Sequence, residues 1–507
     1  VEPYYEIQYE SETFDKDFIE ELKNQKADSA FLYPQKNPFL PDQLDLVCSP
    51  QTKDAEETES VGVRHYAQTD TELEIPRGSL SLSIISNAVG GDPRNYLMAK
   101  LFTRAKKEEL NEWGYIPRLA GLSYNISHGY NTLTLDVSGY SQHLTDLLEN
   151  LILDGDHKRR IDRVQIDEKT FEQIKEKFKK SLMNRAYDAA YQQLLYEVSH
   201  VSSSASIHWE TYIKEIDGIG LKDIQGFGEE FFKNVAIRTY SFGNIETNAI
   251  HHSVEVFLKE LGSKLLTEEE VEKFENKYPV FPKQSSIVQF QRENNNNAQI
   301  SFYNVDEWTI ENQATMMVIG KLIEQSYFTE LRTHQQLGYV VTAFPSSGYG
   351  FTGLGTLIQS ETHSATDIFK RSHDFLCDLL PKLVNDVRDE DVEAIKKAIV
   401  SEISQKPNSM GERLSRFTQM AGTYHGDFKF YEKLQKHIES LSGDTIRVFV
   451  KNKMLNFKNE GVFSMLFNSQ ATKEWEWPDG FQKVEDFEGF KSSLTKIQPY
   501  KKSKGFN

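Results

Sequence analysis

Cysteine is scarce in this chain of 507 residues, which contains only Cys48 and Cys377. Two thiols cannot form a framework of disulfides or a zinc site with four cysteine ligands, and their scarcity fits a reducing compartment. No run approaches the roughly 18 apolar residues of a membrane span, and the acidic, aromatic start VEPYYEIQYESE is unlike a secretory signal peptide. We therefore expect a cytoplasmic protein with no membrane partner. Because the first residue is Val1, we also expect a processed product or a piece of a longer protein.

Positive charge is in deficit as well. The chain has 58 Lys and Arg against 76 Asp and Glu, a formal net charge of −18. A phosphate backbone repels such an excess of negative charge, so nucleic acid is not an expected partner. The apolar content of 38%, with 32 Phe and 23 Tyr, is that of a globular protein with large cores. At this length we expect two to four domains.

Metal motifs are absent. The helical zinc motifs HxxEH and HExxH need two histidines four residues apart, so that both imidazoles share one face of the helix. None of the 13 histidines has a partner at that spacing. The nearest fragment runs from His252 to Glu255, with Val256 where a second ligand would stand, and a surface pair is the expected outcome. The sequence predicts no metal site.

Motifs for nucleophiles and phosphates are equally weak. Neither a GxSxG nor a P-loop occurs. The GxGxxG of Gly348, Gly350 and Gly353 lies within strand-like sequence and does not open a helix, so turns or close approach of another backbone are expected there. Cys377 stands in FLCDLL, which favours packing in the core over a nucleophile.

One order of patterns occurs twice along the chain. Alternation of Leu80, Leu82 and Ile84 predicts a strand, and Asp92-Pro93 predicts the start of a helix. After Gly114-Tyr115 the sequence again has the pattern of strands, followed by the pattern of a helix.

The second unit begins near residue 300, where AQISFYNV predicts a strand and residues 312–335 predict a long helix. One face of that helix is apolar, with a spacing of three or four residues between Met316, Ile319, Ile323, Tyr327 and Leu331. Gly338-Tyr339 then holds the place of the earlier Gly-Tyr pair, and strand-like text follows.

An internal repeat of this length predicts two homologous domains in tandem. We predict an α+β protein in which each domain is a mostly antiparallel sheet packed with helices. The predicted segments are a lead-in (1–45), a first domain (46–265), a linker (266–297) and a second domain (298–507).

A cation and a phenol flank the end of the second long helix, in LRTHQQLGYVV (331–341). On one interpretation Arg332 interacts with the dipole at the carboxyl end of the helix, and Tyr339 is half-buried after a turn. On another, the guanidinium and the phenol donate hydrogen bonds to peptide carbonyls, and Gly338 lets the backbone turn sharply between them. The spacing alone does not decide between a structural pair and a peptide clamp.

The same stretch resembles the carboxyl-terminal half of the insulinase-like M16 zinc metallopeptidases. FTELRTHQQLGYVV is similar to the RTxxQLGY segment of the family's last domain, and GLGTLIQSE (353–361) continues the likeness. KEELNEWGYIPRLAGLSYNIS (107–127) is similar to the family's third domain. The opening YYEIQYE and the segment KNPFLP resemble the link from the catalytic half, so the likeness covers nearly the whole chain.

This resemblance implies two M16 domains of the LuxS/metallohydrolase-like class. In the family, four homologous domains form two halves around a peptide chamber, and the zinc lies in the first domain. The resemblance therefore implies no metal or cofactor in this chain, zinc in a catalytic half on the same or another polypeptide, and peptide substrates. Arg332 and Tyr339 match the arginine and tyrosine that contact the substrate near the scissile bond, with Gln336 and Gly338 as supporting residues.

Two functions follow from these expectations. The chain is the non-catalytic, substrate-binding half of an insulinase-like zinc metalloendopeptidase, or it is a stand-alone M16-like scaffold or peptide-binding subunit without protease activity. The presence of both Arg332 and Tyr339 favours the first function, and a homodimer is left open. The net charge of −18 departs from the more basic second half of some members, so a preference for acidic peptides is not carried over.

Overall fold

The computed structural model describes residues 1–26, 36–47, 55–156, 158–348, 351–472 and 476–497. Cys48 and Gly350 lie outside the described residues. Within them, no helix combines the length and the apolar character that crossing a membrane requires.

A first sheet has seven strands, most of them antiparallel. They are β1 (Glu56–Ser60), β2 (Val63–Gln68), β3 (Arg77–Ser86), β4 (Ser123–His128), β5 (Thr132–Tyr140), β6 (Asn234–Gly243) and β7 (Lys264–Leu265). The order across the sheet is β1-β2-β6-β3-β5-β4, and β7 pairs with β6. Among the described strands of this sheet, the parallel pairs are β2 with β6 and β6 with β7. The central β3 contains the predicted alternation, with Leu80, Leu82 and Ile84 all buried.

The helices before residue 275 are α1 (Lys16–Asn24), α2 (Pro93–Glu109), α3 (Tyr115–Leu119), α4 (Leu144–Ile152), α5 (Glu168–Met183), α6 (Ala190–Val201), α7 (Trp209–Glu215), α8 (Leu221–Phe231), α9 (Thr247–Leu261) and α10 (Glu268–Phe274). The predicted start of α2 is confirmed, since the Asp92 side chain accepts a hydrogen bond from the backbone N–H of Arg94 and Pro93 begins the helix. Helix α1 lies in the predicted lead-in and buries none of its residues.

A second sheet has six strands. The strands after residue 277 are β8 (Tyr278–Val280), β9 (Ser286–Arg292), β10 (Asn297–Asp306), β11 (Val340–Gly348), β12 (Phe351–Ser360), β13 (Val462–Ser469), β14 (Gln482–Val484) and β15 (Thr495–Ile497). The order is β11-β12-β10-β13-β9-β14, with antiparallel pairs except where β9 meets β13 and β14. Strands β8 and β15 form a separate antiparallel pair.

The remaining helices are α11 (Ile310–Phe328), α12 (Ala365–Asp386), α13 (Asp389–Ser404), α14 (Met410–Thr418), α15 (Phe430–Ser440), α16 (Gly443–Lys453) and α17 (Phe487–Ser493). Two π-helical turns extend α11 and α14, at Thr329–His334 and Gln419–Thr423. The predicted apolar face of α11 is confirmed, because all five of its residues are completely buried in the second core.

The two sheets share one topology. In each, a central strand (β3 or β10) pairs with the second strand of a hairpin (β5 or β12) on one side and with a late strand (β6 or β13) on the other. A long helix (α2 or α11) follows each central strand, and a parallel neighbour (β2 or β9) lies beside each late strand. The α+β fold with two homologous, mostly antiparallel domains is confirmed.

The predicted linker is not free of regular structure. Helix α10 and strands β8 and β9 lie within 266–297, and β9 is part of the second sheet. The pairing partner of β9 is β13, more than 160 residues later, so no local pattern announces it. The domain boundaries themselves stay a prediction.

Candidate functional site

The stretch after α11 reverses the chain between two buried leucines. The π-helical turn carries Leu331 inward, and Leu337 follows the reversal; both are completely buried. The backbone N–H of Leu337 donates to the carbonyl of Leu331 over 3.0 Å. This anchored reversal holds Arg332 and Tyr339 on the outside of the core, one on each limb. A π-helical turn is rare, and in other proteins it is frequently found at functional sites.

The two supporting residues have different backbone roles from the one predicted. We predicted a sharp turn at Gly338, but the left-handed conformation falls on Gln336, with φ of 52°. Gly338 is needed for space instead: a Cβ there would stand 1.9 Å from the carbonyl oxygen of Gln359 on β12. The glycine therefore lets the chain enter β11 in direct contact with its neighbouring strand.

Arg332 and Tyr339 lie together. The guanidinium carbon is 5.2 Å from the centroid of the Tyr339 ring and 5.0 Å from that of Phe328, and Nε donates to the carbonyl of Tyr339 over 3.3 Å. Each cation–π contact at an exposed site contributes about 0.5–1 kcal/mol. The two rings therefore hold the guanidinium in one orientation before any ligand arrives.

The outer donors of this pair are not engaged by the part of the chain that the structure describes. Neither terminal nitrogen of Arg332 nor the hydroxyl of Tyr339 has a hydrogen-bond partner there, and Tyr339 is 85% exposed. A planar guanidinium and a phenol so placed can donate to successive carbonyls of an extended chain. The arrangement combines a fixed cation with unused donors, which is what a contact surface for a backbone requires.

Glu330 could have neutralised Arg332, but its carboxylate is engaged elsewhere. One oxygen bonds Nδ1 of His334 over 2.9 Å and the other accepts from the side chain of Gln335 over 3.1 Å. The hydrogen bond from His334, followed by that from Gln335, lowers the pKa of Glu330 below its usual value. The residues in the variable middle of RTHQQLGY thus hold this carboxylate away from the cation.

Sequence reasoning missed Phe328, which is 38% exposed at the end of α11. The signal was available, because Phe328 and Arg332 are four residues apart and share one face where a helix continues. The guanidinium of Arg332 therefore has two aromatic neighbours, Phe328 and Tyr339.

The other sequence candidates do not gather into a site. His252 and Glu255 are exposed on α9, and no three His, Cys, Asp or Glu side chains among the described residues are grouped closely enough to hold a metal ion. These residues therefore do not fit a zinc ion.

Gly348 and Gly353 lie on the paired strands β11 and β12, and Gly353 packs against the backbone of Tyr303, as close approach predicts. Cys377 is buried on α12, as predicted, and burial raises the pKa of its thiol to about 12, which keeps it a poor nucleophile.

Two family profiles match the chain. Residues 1–215 match the middle or third domain of peptidase M16, and residues 318–418 match domain 4 of the C-terminal lobe of PqqF-like PQQ synthase. The chain is similar to the insulin-degrading-enzyme-like M16 peptidases. Its two M16 domains correspond to the carboxyl-terminal half of the insulin-degrading-enzyme-like members, as the sequence motifs predicted.

Known relatives extend beyond this chain. It is 26% identical to human insulin-degrading enzyme over 376 residues, which cover 71% of the chain and 35% of that enzyme. It is 22% identical to the putative zinc protease mug138 of Schizosaccharomyces pombe, over 97% of the chain and 51% of that protein. The crystal structure of pitrilysin superimposes with a TM-score of 0.81 at 21% identity, covering 92% of this chain and 49% of pitrilysin. The M16 chain thus spans about a third to a half of the length of these relatives.

Proposed function

We propose that this chain is the non-catalytic, substrate-contacting half of an insulinase-like zinc metalloendopeptidase. The observation that carries the proposal is the fixed, unneutralised Arg332 beside the exposed Tyr339. In a scaffold, the unused donors of Arg332 and Tyr339 would have no function. A peptide backbone, in contrast, offers carbonyls to which both side chains can donate. The match of this chain to about half of a zinc protease supports a missing partner half.

The partner would supply the metal. The catalytic half, on the same polypeptide or another chain, would carry the zinc and its ligands, and zinc would polarise the scissile carbonyl and activate water. Arg332 and Tyr339 would bind the backbone of the substrate beside that carbonyl, which fixes the peptide and stabilises developing negative charge. We propose that the substrate-contacting half consists of two domains, 46–265 and 298–507, and that the second contains Arg332 and Tyr339.

The test is a reconstituted enzyme that combines this chain with its catalytic half. Tyr339→Phe removes only a hydroxyl, and Arg332→Lys keeps the charge but removes the planar fork. Each should lower kcat/KM for a peptide substrate by roughly ten- to a thousandfold, the range for one charge-assisted or transition-state hydrogen bond. Melting temperatures should stay near that of the wild type, because neither side chain is buried in the core.

Tyr187→Phe is the matched control, because Tyr187 is also an exposed tyrosine but lies in the first domain. It should leave kcat/KM unchanged. If both Arg332→Lys and Tyr339→Phe keep wild-type kcat/KM, the substrate role is wrong. A stable complex of the two halves that cleaves no peptide would support the scaffold alternative instead.

A further inference from the structure

A cavity of about 630 Å³ opens among the helices of the first domain, within residues 96–212. Helices α2, α5, α6 and α7 contribute to its walls together with the turn between β4 and β5. Its cationic wall consists of Lys100, Arg104 and Arg185. The cavity is distinct from the Arg332–Tyr339 pair, so an inference about it does not rest on the proposed function.

The three cations line the same cavity. None of them forms an ion pair with a carboxylate anywhere in the described ranges; instead Arg104 lies 3.8 Å above the Phe178 ring and Arg185 lies 4.7 Å above the Tyr196 ring, each measured to the ring centroid. Lys100 lies 5.0 Å above the ring of Tyr96. In a chain with a net charge of −18, a concentration of unneutralised positive charge is not a consequence of composition.

The charge balance of the cavity indicates the valence of its ligand. The one carboxylate in its wall, Asp188, accepts a 2.6 Å hydrogen bond from the hydroxyl of Tyr196. Nearby His128 adds no charge at neutral pH, because burial and then Lys100 lower its pKa to about 4. Three cations and one carboxylate leave an excess of two positive charges, which a dianion would balance.

The cluster is electrostatically unfavourable without a ligand. Burial, followed by repulsion from Arg104 and Arg185, lowers the pKa of Lys100 to about 8. Like charges held together in a partly desolvated site destabilise the folded state, and such an arrangement is typical of binding sites, where a ligand supplies the missing charge.

The remaining wall is aromatic. The rings of Tyr96 and Tyr212 stack with centroids 5.2 Å apart, and Tyr130 lies beside them. Burial raises the pKa of Tyr96 and Tyr212, so both phenols stay protonated and remain hydrogen-bond donors. The rings and hydroxyls that line this wall suit an organic group better than a bare inorganic ion.

We propose that this cavity binds a small organic phosphate monoester, with the phosphate dianion held by Lys100, Arg104 and Arg185 and the organic group held against the tyrosines. A phosphate monoester carries close to two negative charges at neutral pH, and guanidinium groups recognise its oxygens in a bidentate manner.

Calorimetric titration of the whole chain with phenyl phosphate tests the proposal. Saturable binding is expected with a Kd below about 1 mM. Lys100→Met and Arg185→Gln should each weaken it roughly ten- to a hundredfold, as the loss of one charge-assisted hydrogen bond does. Lys107→Met removes the same charge from an exposed position on the same helix and should leave the Kd unchanged.

Two ligand controls separate the chemistry. Phenol should not bind, and inorganic phosphate should bind at least tenfold more weakly than phenyl phosphate. No saturable binding of phenyl phosphate with a Kd below about 1 mM would overturn the site. So would equal affinity in wild type, Lys100→Met and Arg185→Gln, and inorganic phosphate binding as tightly as phenyl phosphate would overturn the organic ligand.

Melting temperature provides an independent readout. Without ligand, Lys100→Met should melt higher than wild type, because it removes one of three mutually repelling charges while keeping an unbranched side chain. Phenyl phosphate should then raise the melting temperature of wild type and of Lys107→Met but not that of Lys100→Met. A lower melting temperature of ligand-free Lys100→Met would contradict the unfavourable cluster of charges on which the proposal depends.

Discussion

Gln336 is a residue under local strain beside the contact pair. Its φ of 52° places an ordinary side chain in the left-handed region, at a cost of about 1–2 kcal/mol. The conformation persists because the next residue, Leu337, is completely buried and bonds back to Leu331. Packing in the core therefore imposes the strain, and the strained residue fixes the direction in which the chain leaves for Tyr339.

Replacement of this residue tests the strain directly. Gln336→Gly should stabilise the protein by about 0.5–1 kcal/mol, since glycine adopts positive φ without a steric cost. The matched control is Gln335→Gly, where φ is −85° and glycine should instead destabilise by a similar amount. Denaturant unfolding of both variants measures the two shifts. Equal destabilisation by both would show that Gln336 carries no strain.

The prediction of this site from sequence succeeded where the signal was local. The position of Arg332 near the end of a helix and the apolar face that includes Tyr327 both follow from spacing along the chain. Gly338 was interpreted as a turn residue because glycine permits positive φ. The constraint that acts on it is the carbonyl of Gln359 on a neighbouring strand, and that contact is visible only in the folded chain.

Helices and strands show the same difference between local signals, which the sequence reveals, and distant contacts, which it does not. Helices α2 and α11 were predictable because their caps and apolar faces repeat within a few residues. Strand β9 was not, because its 7 residues stand between polar segments and its partner β13 is distant in sequence. Parallel pairing of this kind depends on the whole fold, whereas a helical face depends only on its own segment.

A histidine pair couples β2 to α9. The rings of His65 and His251 are 4.1 Å apart, and Nδ1 of His65 is 2.7 Å from the hydroxyl of Thr239 on β6. Burial, followed by the neighbouring His251, lowers the pKa of His65 to about 4. An unfolded histidine titrates near pH 6.5, so below that pH the unfolded state binds a proton that the folded state does not. The stability contributed by neutral His65 is therefore complete above pH 6.5 and is lost as the pH falls towards 4.

Replacement of His65 should weaken this pH dependence. In His65→Gln, the fall in melting temperature between pH 7 and pH 4.5 should be smaller than in wild type, even if the variant is less stable at pH 7. His252→Gln is the control, since this exposed histidine lies next to His251 on helix α9. Thermal scans at four pH values give the slopes. Identical slopes in wild type and His65→Gln would contradict a titrating role for His65.

At the scale of the whole molecule, one helix from each domain packs against the sheet of the other domain. Helix α6, from the first repeat, packs in the core of the second sheet, where Ala190, Leu194 and Val201 are buried. Helix α14, from the second repeat, packs against the first sheet through Phe417 beside Phe242. Equivalent positions in the two repeats thus supply the reciprocal contacts. We infer that the domains unfold as one unit, so that the contact pair in the second domain is held in a fixed relation to the first.

Arg413, near the start of α14, forms ion pairs that can be used to test whether the two domains unfold as one unit. Arg413 donates to Asp70 over 3.1 Å and to Glu72 over 2.9 Å, and the Asp70 side chain is only 3% exposed. Arg413→Ala would leave that buried carboxylate without its cation, which costs about 3–5 kcal/mol. Arg388→Ala breaks an exposed pair and should cost at most about 1 kcal/mol.

The cooperativity of unfolding then decides whether this loss is local. In Arg413→Ala, probes in both domains should report one transition at a lower denaturant midpoint, because the weakened contact belongs to a single unit. Asp70→Asn combined with Arg413→Ala should recover part of the stability, since the double variant no longer buries an unpaired charge. Tryptophan fluorescence from Trp209 in the first domain and Trp308 in the second, each kept as the single tryptophan by replacing the other four of the chain's five with Phe, provides the two probes. Two well-separated transitions in wild type would contradict the single unit, and an unchanged midpoint in Arg413→Ala would show that this ion pair does not stabilise it.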